Sequence, residues 1–444
     1  MTDQLRTEGP ADIALRTIEQ SSPEPILNDL ANENTSSGLD RTTIAQLVAA
    51  GFSYFFAGTN DGSLGALTPY ILRTYNVGTQ YISILYATTF LGWLVAAATN
   101  SYVAQYLDLG AILTLGAIIQ LIAQLPRFWN PPFGLFVITF FLQALGMGYQ
   151  DAHGNTFVAS IKGAHRWLGF IHAMYALGSL VSPFVATTIA SRLSNERWQL
   201  CYLFLVGVGT INLVTVPLAF RSSLKMRKQP IVTGENEPEA NGKTSRSKAA
   251  TKDIKNTLKS PPVYFLSLFY FFMLGVGITA GGWIVEYLIL TRNGKLPEVG
   301  YVPSGLWGGI FLGRLFLAEP THRFGERRMT MLYCVIILAL QLVFWLVPNL
   351  VGGAVAISFL GFFFGPLFAT GMSIGSKLFP EPIRPTALGF VFVLAQAGGA
   401  LFPALTGVIA SKFGVKVMQP MLLGLVIAMG ITWALVPKVK QRDE

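Results

Sequence analysis

Charge is what this sequence has least of. Only 12% of its residues are Asp, Glu, Lys or Arg, against about a quarter in an ordinary soluble chain, so a water-covered globular surface is excluded over most of the 444 residues. Cysteine is almost absent: Cys201 and Cys334 fall inside apolar runs, which argues against a disulfide framework or a cysteine metal site and marks both as small buried hydrophobes. No cofactor is expected. A nucleotide-binding glycine loop, a nucleophile constellation and a metal-ligand cluster are all missing from the sequence, so neither a conventional enzyme nor an ATP-driven pump is expected. Residues 1–40 are acidic and polar, without a basic n-region and apolar core, and so give no cleavable signal peptide; the first span is expected to act as the insertion signal.

What is present is hydrophobic sequence in long blocks, 52% of the chain. Each membrane crossing needs about 20 such residues, and twelve runs qualify: 44–71, 82–105, 110–126, 133–159, 166–190, 199–219, 262–290, 301–318, 329–347, 351–376, 384–410 and 416–437. The expected fold is all-α and embedded in a lipid bilayer. Its expected organisation is a disordered tail at 1–40, a six-helix bundle at 41–220, a polar linker at 221–260, a second six-helix bundle at 261–437 and a short tail at 438–444.

Net charge is +9, unevenly placed. The linker carries Lys225, Arg227, Lys228, Lys243, Arg246, Lys248, Lys252, Lys255 and Lys259, and loops on its side hold Lys162, Arg166, Arg323, Arg327, Arg328, Lys377 and Arg384. The opposite loops hold fewer, among them Arg73, Arg127, Arg192, Arg197, Arg292, Lys295, Lys412 and Lys416. The positive-inside rule then puts the linker and both termini in the cytoplasm. The basic run has no interleaved aromatics, so no nucleic-acid partner is expected and it reads as a solvated, lipid-facing segment.

The halves resemble each other. Leu168, Gly169, Phe170, Gly178 and Pro183 in the fifth run match Leu388, Gly389, Phe390, Gly398 and Pro403 in the eleventh at one offset, 388 minus 168, or 220. Tyr54-Phe55-Phe56 matches Tyr270-Phe271-Phe272 at a slightly different offset. Two parallel six-helix repeats with a solute handled between them is a transporter plan. Against that apolar background two acids stand out, Asp61 and Asp151. A carboxylate near the bilayer centre costs roughly 2.5–3.5 kcal/mol on insertion scales, so it marks an ion or solute pathway.

Gly313-Arg314, followed by His322-Arg323-Phe324-Gly325-Glu326-Arg327-Arg328, resembles the loop signature of the major facilitator superfamily. The resemblance implies the major facilitator fold, twelve transmembrane helices in two six-helix pseudo-repeats, and makes Arg314, Arg323, Arg327 and Arg328 a cytoplasmic gate that breaks as the halves rock. His322 stands where the family usually has Asp, and the equivalent loop in the first half, 100–111, has lost its basic residues.

Gly146-Met147-Gly148-Tyr149-Gln150-Asp151-Ala152-His153-Gly154-Asn155, the Asn60-Asp61 pair and Ala397-Gly398-Gly399-Ala400-Leu401-Phe402-Pro403 resemble the fucose–proton symporter family within that superfamily, in its fungal branch. By that resemblance Asp61 and Asp151 fall on the two acidic positions linked to proton binding and sugar coupling. A carboxyl in a dry surrounding favours its neutral form, so such a group can take a proton on one side and lose it when the cavity turns. Helical spacing places Gly148, Asp151 and Asn155 on one face, and Gly58, Asp61, Gly65 and Thr68 on another. Asn60, Gln143, Asn155, His172, Trp283 and Glu286 complete the expected solute-binding set.

The expected activity is secondary transport of a small organic solute, sugar-like, coupled to protons by alternating access. The partners are that solute, protons and the bilayer, with the protein read as a monomer in the plasma membrane or an internal one. Two alternatives stay open. Gly169, Gly178, Ser182 and Pro183 follow the fifth-helix spacing of drug–proton antiporters, which would mean export of a secondary metabolite or drug-like compound. A non-transporting nutrient sensor would signal through the linker.

Overall fold

A computed structural model describes residues 39–193, 195–225 and 260–438. The expectations for the terminal tails and the basic linker therefore fall almost wholly outside the described residues. Of the first 45 residues, 39–45 are described, and there Asp40 caps the start of a helix, accepting from the Thr43 N–H at 3.1 Å. The side-chain and backbone hydrogen bonds of Thr43 hold the Asp40 carboxyl below the ordinary carboxylate range.

The long helices are α1 (Arg41–Tyr75), α2 (Thr79–Tyr106), α3 (Leu109–Gln124), α4 (Phe133–Ala159), α5 (Ala164–Arg192), α6 (Cys201–Ala219), α7 (Pro261–Arg292), α8 (Val302–Phe316), α9 (Glu326–Leu346), α10 (Leu350–Phe364), α11 (Leu367–Leu378), α12 (Arg384–Phe413) and α13 (Met418–Leu435). Ten candidate spans are long and apolar enough to cross a membrane on composition, with α10 and α11 counted as one. The other two crossings are α1, diluted by Thr59, Asn60, Asp61 and Ser63, and α8, which is 15 residues long. Fifteen residues rise only about 22 Å. Twelve crossings result, and the tenth, expected at 351–376, runs over Leu350–Leu378 with an interruption at Gly365-Pro366. A Cβ at Gly365 would press on the Ile310 carbonyl oxygen at 2.6 Å, and proline cannot donate to a continuing helix.

The third run also ends differently from its expected boundary. Beyond Gln124 the chain tightens into a 3₁₀ turn, Leu125–Trp129, closed by Asn130 in the left-handed region at φ 61°. This turn folds Arg127 into the bundle, where it is 1% exposed, so it is no surface loop charge.

The repeat is physical. In the first half α2 packs on α4 and α3 on α4 and α6; in the second α8 packs on α10 and α9 on α10 and α13. Gly178 of α5 lets α1 approach until a Cβ there would overlap the Phe55 carbonyl oxygen, and Gly398 of α12 does the same against the Phe271 carbonyl of α7. Tyr54 of α1 donates to the Asp151 backbone carbonyl of α4 at 3.1 Å, and Tyr270 of α7 likewise donates to the Phe368 carbonyl of α11. The matched glycines and tyrosines are thus matched contacts. Gly169 and Gly389, the first members of each spacing, meet nothing within 4 Å. Gly178 and Gly398 are thus a packing device common to both halves.

The halves join through α2 on α12 and α5 on α8. At the end away from residues 225 and 260, Thr79 donates to the Gly407 carbonyl at 2.9 Å, Ser83 to the Ala404 carbonyl at 2.6 Å, and Thr188 pairs with Tyr301 at 3.1 Å. Deeper in, Gly65 lies against the Gly281 carbonyl. These contacts close one face of the bundle over a central cavity.

Candidate functional site

The cavity lies between the halves, with a volume of about 160 Å³. Asp61, near the middle of α1, Tyr54 and Ser53 line it from one helix; Trp93 comes from α2, Gln150 and Asp151 from α4, and His172 and Tyr175 from α5. The second half contributes Ile278, Trp307, Arg314, Phe368 and Gln396. An adjoining cavity of about 80 Å³ is lined by Asn60, Asp61, Tyr86, Trp93, Trp307 and Gln396. Asp61 therefore borders both spaces.

Each Asp61 oxygen has a donor. Asn60 Nδ2 donates to Oδ1 at 2.9 Å and Tyr175 Oη to Oδ2 at 2.7 Å. Among the described residues no Lys, Arg or His lies within 4 Å of Asp61 or Asp151. Asp151, two-thirds of the way along α4, lines the cavity, and its backbone carbonyl accepts from the Tyr54 hydroxyl. The two acids share one cavity but not one set of partners.

Behind Asp61 runs a ladder of amides. Gln124 Nε2 donates to Asn60 Oδ1 at 2.9 Å and to Gln143 Oε1 at 3.0 Å, Gln143 Nε2 to Gln120 Oε1 at 3.0 Å, and Gln120 Nε2 to Gln150 Oε1 at 2.7 Å. Asn212 Nδ2 reaches the same Gln150 oxygen at 3.4 Å, and Ser53 Oγ closes the run on Asn212 Oδ1 at 2.8 Å. Buried amides stay in an apolar interior only when partnered, and here each partner is another helix, so α1, α3, α4 and α6 are stitched together. The sequence reading missed this ladder apart from Asn60 and Gln143. The signal was there as Gln120 and Gln124, four apart, Gln143 and Gln150, seven apart, and the lone Asn212, all within runs otherwise apolar.

The expected solute-binding residues divide. His172 lines the larger cavity, with its ring edge-on to Tyr54 at 5.5 Å and near Phe368 at 5.2 Å. Asn60 lines the smaller. Gln143 is 1% exposed and held inside the ladder. Asn155 lies beside Asp151 without lining either cavity. Trp283 is fully buried and donates Nε1 to the Pro403 carbonyl at 3.0 Å, which ties α7 to α12. Glu286, 8% exposed, lines neither cavity.

The expected gate divides too. Arg314 lines the cavity and donates Nη1 to the His172 backbone carbonyl across the halves. Arg323 and Arg328 are exposed. Arg327 donates to the Ala434 carbonyl at 2.9 Å, at the C-terminus of α13, where a cation complements the helix dipole. The ion pairs in this loop, Glu326 with Lys377 at 2.7 Å and with His322 at 3.9 Å, lie within the second half. Gly325, at φ 99°, makes the turn that places them.

Twelve apolar helices in two repeats around a polar, half-buried site between them define a multi-pass membrane transporter. The Major Facilitator Superfamily model matches residues 50–403 and 287–444, and the chain belongs to that family. It is 25% identical over 425 residues to Bypass of stop codon protein 6 of Saccharomyces cerevisiae, covering 90% of this chain and 84% of that one. It is 22% identical over 365 residues to the Glucose/mannose transporter GlcP of Bacillus subtilis, covering 80% and 86%. The structure of the E. coli fucose:proton symporter FucP superposes with a TM-score of 0.61 at 14% identity, over 90% of this chain and all of that one, which is a likeness of fold.

Proposed function

We propose that the chain moves a small polar organic solute through the central cavity by alternating access, with Asp61 carrying the coupling proton and Asp151 a second candidate for it. The observation that carries this reading is the position of Asp61, at the junction of both cavities and with no cation within 4 Å among the described residues. A carboxyl so placed changes charge with the wetting of its surroundings, which is what coupling needs. A sugar-like solute suits walls that pair Trp93 and Trp307 with the hydrogen-bonding groups of Gln150, Tyr175 and Gln396. GlcP, by its name a glucose and mannose transporter, and the fucose:proton symporter are in keeping with that chemistry. In this reading 41–220 and 261–437 are the rocking bundles, 1–40, 221–260 and 438–444 are cytoplasmic, and the protein acts as a monomer in the plasma membrane.

Arg314 favours a second solute class. It lines the cavity with no carboxylate within 4 Å among the described residues, and a guanidinium in such a place binds carboxylates in two-point fashion. Proteoliposomes supplied with hexoses, polyols and small organic acids test both. An acid exterior that drives accumulation of a hexose supports the sugar reading; accumulation of acids alone moves the assignment to organic anions. Net efflux under the same gradient makes the protein an exchanger. No accumulation of any solute, together with a signalling defect on deletion of 226–259, would replace transport by sensing.

A further inference from the structure

Arg127 is the least exposed charged side chain among the described residues, at 1%. A guanidinium stays protonated under all physiological conditions, so a permanent positive charge is enclosed in the first half. Nε donates to Thr139 Oγ1 at 2.8 Å, Nη1 to Asn60 Oδ1 at 2.9 Å and to Gln124 Oε1 at 3.3 Å. Its Cζ lies 4.1 Å from the Phe140 ring centroid and 5.5 Å from that of Tyr202. Nη2 is buried with no hydrogen-bond partner. Every acceptor is neutral, so the charge is solvated but not cancelled.

The nearest acid along the hydrogen bonds is Asp61, one amide away. Asn60 accepts from Arg127 on its oxygen and donates to Asp61 Oδ1 from its nitrogen. Gln124 also donates to that Asn60 oxygen, which fixes the amide with its dipole aligned between cation and acid. Such a chain polarises link by link in a low-dielectric interior. The other titratable or charged groups around the two cavities Asp61 borders are Tyr54 on α1, Tyr86 on α2, Asp151 on α4, His172 and Tyr175 on α5, and Arg314 on α8. Of these, Tyr175 touches it.

We infer that Arg127 is the fixed counter-charge of Asp61, acting through the Asn60 amide, and that it sets the pH at which Asp61 gains and loses its proton. Arg127 is on this account a positioning residue: it touches neither solute nor proton. The inference rests on the reading of Asp61 as the proton site.

A solute-independent test is an infrared pH titration of the protonated-carboxyl band in the purified full-length protein, with Asp61→Asn identifying the Asp61 contribution. In Arg127→Gln the Asp61 carboxylate loses its counter-charge, so the band should persist to a pH at least one unit higher, about a tenfold change in proton affinity. Arg127→Lys should restore most of the difference. Asn60→Ala keeps the cation but removes both the relay and a direct donor to Asp61 Oδ1, so it should move the midpoint in the same direction; Arg127→Met, which leaves an apolar side chain among the same rings, decides the matter if Arg127→Gln does not fold. An unchanged midpoint in a folded Arg127→Gln or Arg127→Met, or in Asn60→Ala, overturns the counter-charge role. A band that Asp61→Asn leaves intact at every pH overturns the reading of Asp61 itself.

Discussion

The two halves share a backbone plan and differ in what they bury. The first encloses six amide side chains, Asn60, Gln120, Gln124, Gln143, Gln150 and Asn212, with Arg127 among them; the second encloses two, Gln341 and Gln419, bonded to each other at 2.7 Å. Where the first half runs its ladder, the second stacks rings: Phe269 against Trp433 at 4.7 Å and Tyr333 against Phe363 at 5.9 Å. Repetition therefore fixes how helices cross, and the interior is free to diverge. Both cavity-lining carboxylates, Asp61 and Asp151, belong to the first half, and the second half lines the cavity with largely apolar residues.

The sharpest way to break this comparison is Asp61→Asn. It should abolish pH-gradient-driven accumulation while leaving solute binding, read as thermal stabilisation, independent of pH. Retained coupling would move the proton site away from the first half.

Next in size is the paired glycine test. Gly178→Val and Gly398→Val each force a side chain into the carbonyl of the facing helix, and overpacking of this kind costs about 1–3 kcal/mol or more. Equal losses of thermal stability in both variants are expected from the shared plan; a loss in one alone would make the repeat only apparent.

Gln150→Leu should cost about 1–3 kcal/mol, because it strands Gln120 and Asn212 in the interior. Gln341→Leu removes one bond to Gln419 and should cost less, about 1 kcal/mol. Equal costs would mean that the ladder confers nothing beyond its separate bonds. Smallest of all, Arg323→Ala and Arg328→Ala, at exposed positions, should stay within about 0.5 kcal/mol in thermal stability, whereas Glu286→Gln should leave solute affinity unchanged because Glu286 lines neither cavity.

Twelve crossings, the repeat and the two acids were legible because apolar length, matched Gly and Pro positions and isolated carboxylates are one-dimensional signals. α4 begins and ends at the expected 133 and 159. The interruption at Gly365-Pro366 left no mark on the apolar run, although the proline that cannot donate to a continuing helix is itself in the sequence. Arg127 misled for a related reason: proline at 126 and the charge after it read as a loop, while the turn it forms is folded inward. Trp283 and Glu286 were drawn to the site by polarity and helical face, but facing another helix and facing a cavity look alike in sequence. The inter-helix ladder needed the fold, because its partners are up to 159 positions apart.

The most direct test of the account is solute-driven proton movement in proteoliposomes loaded with a pH-sensitive dye, using the hexose or organic acid that accumulates. The wild-type protein should move protons when that solute is added, and Asp61→Asn should bind the solute and move none. Proton movement that persists in Asp61→Asn would contradict it.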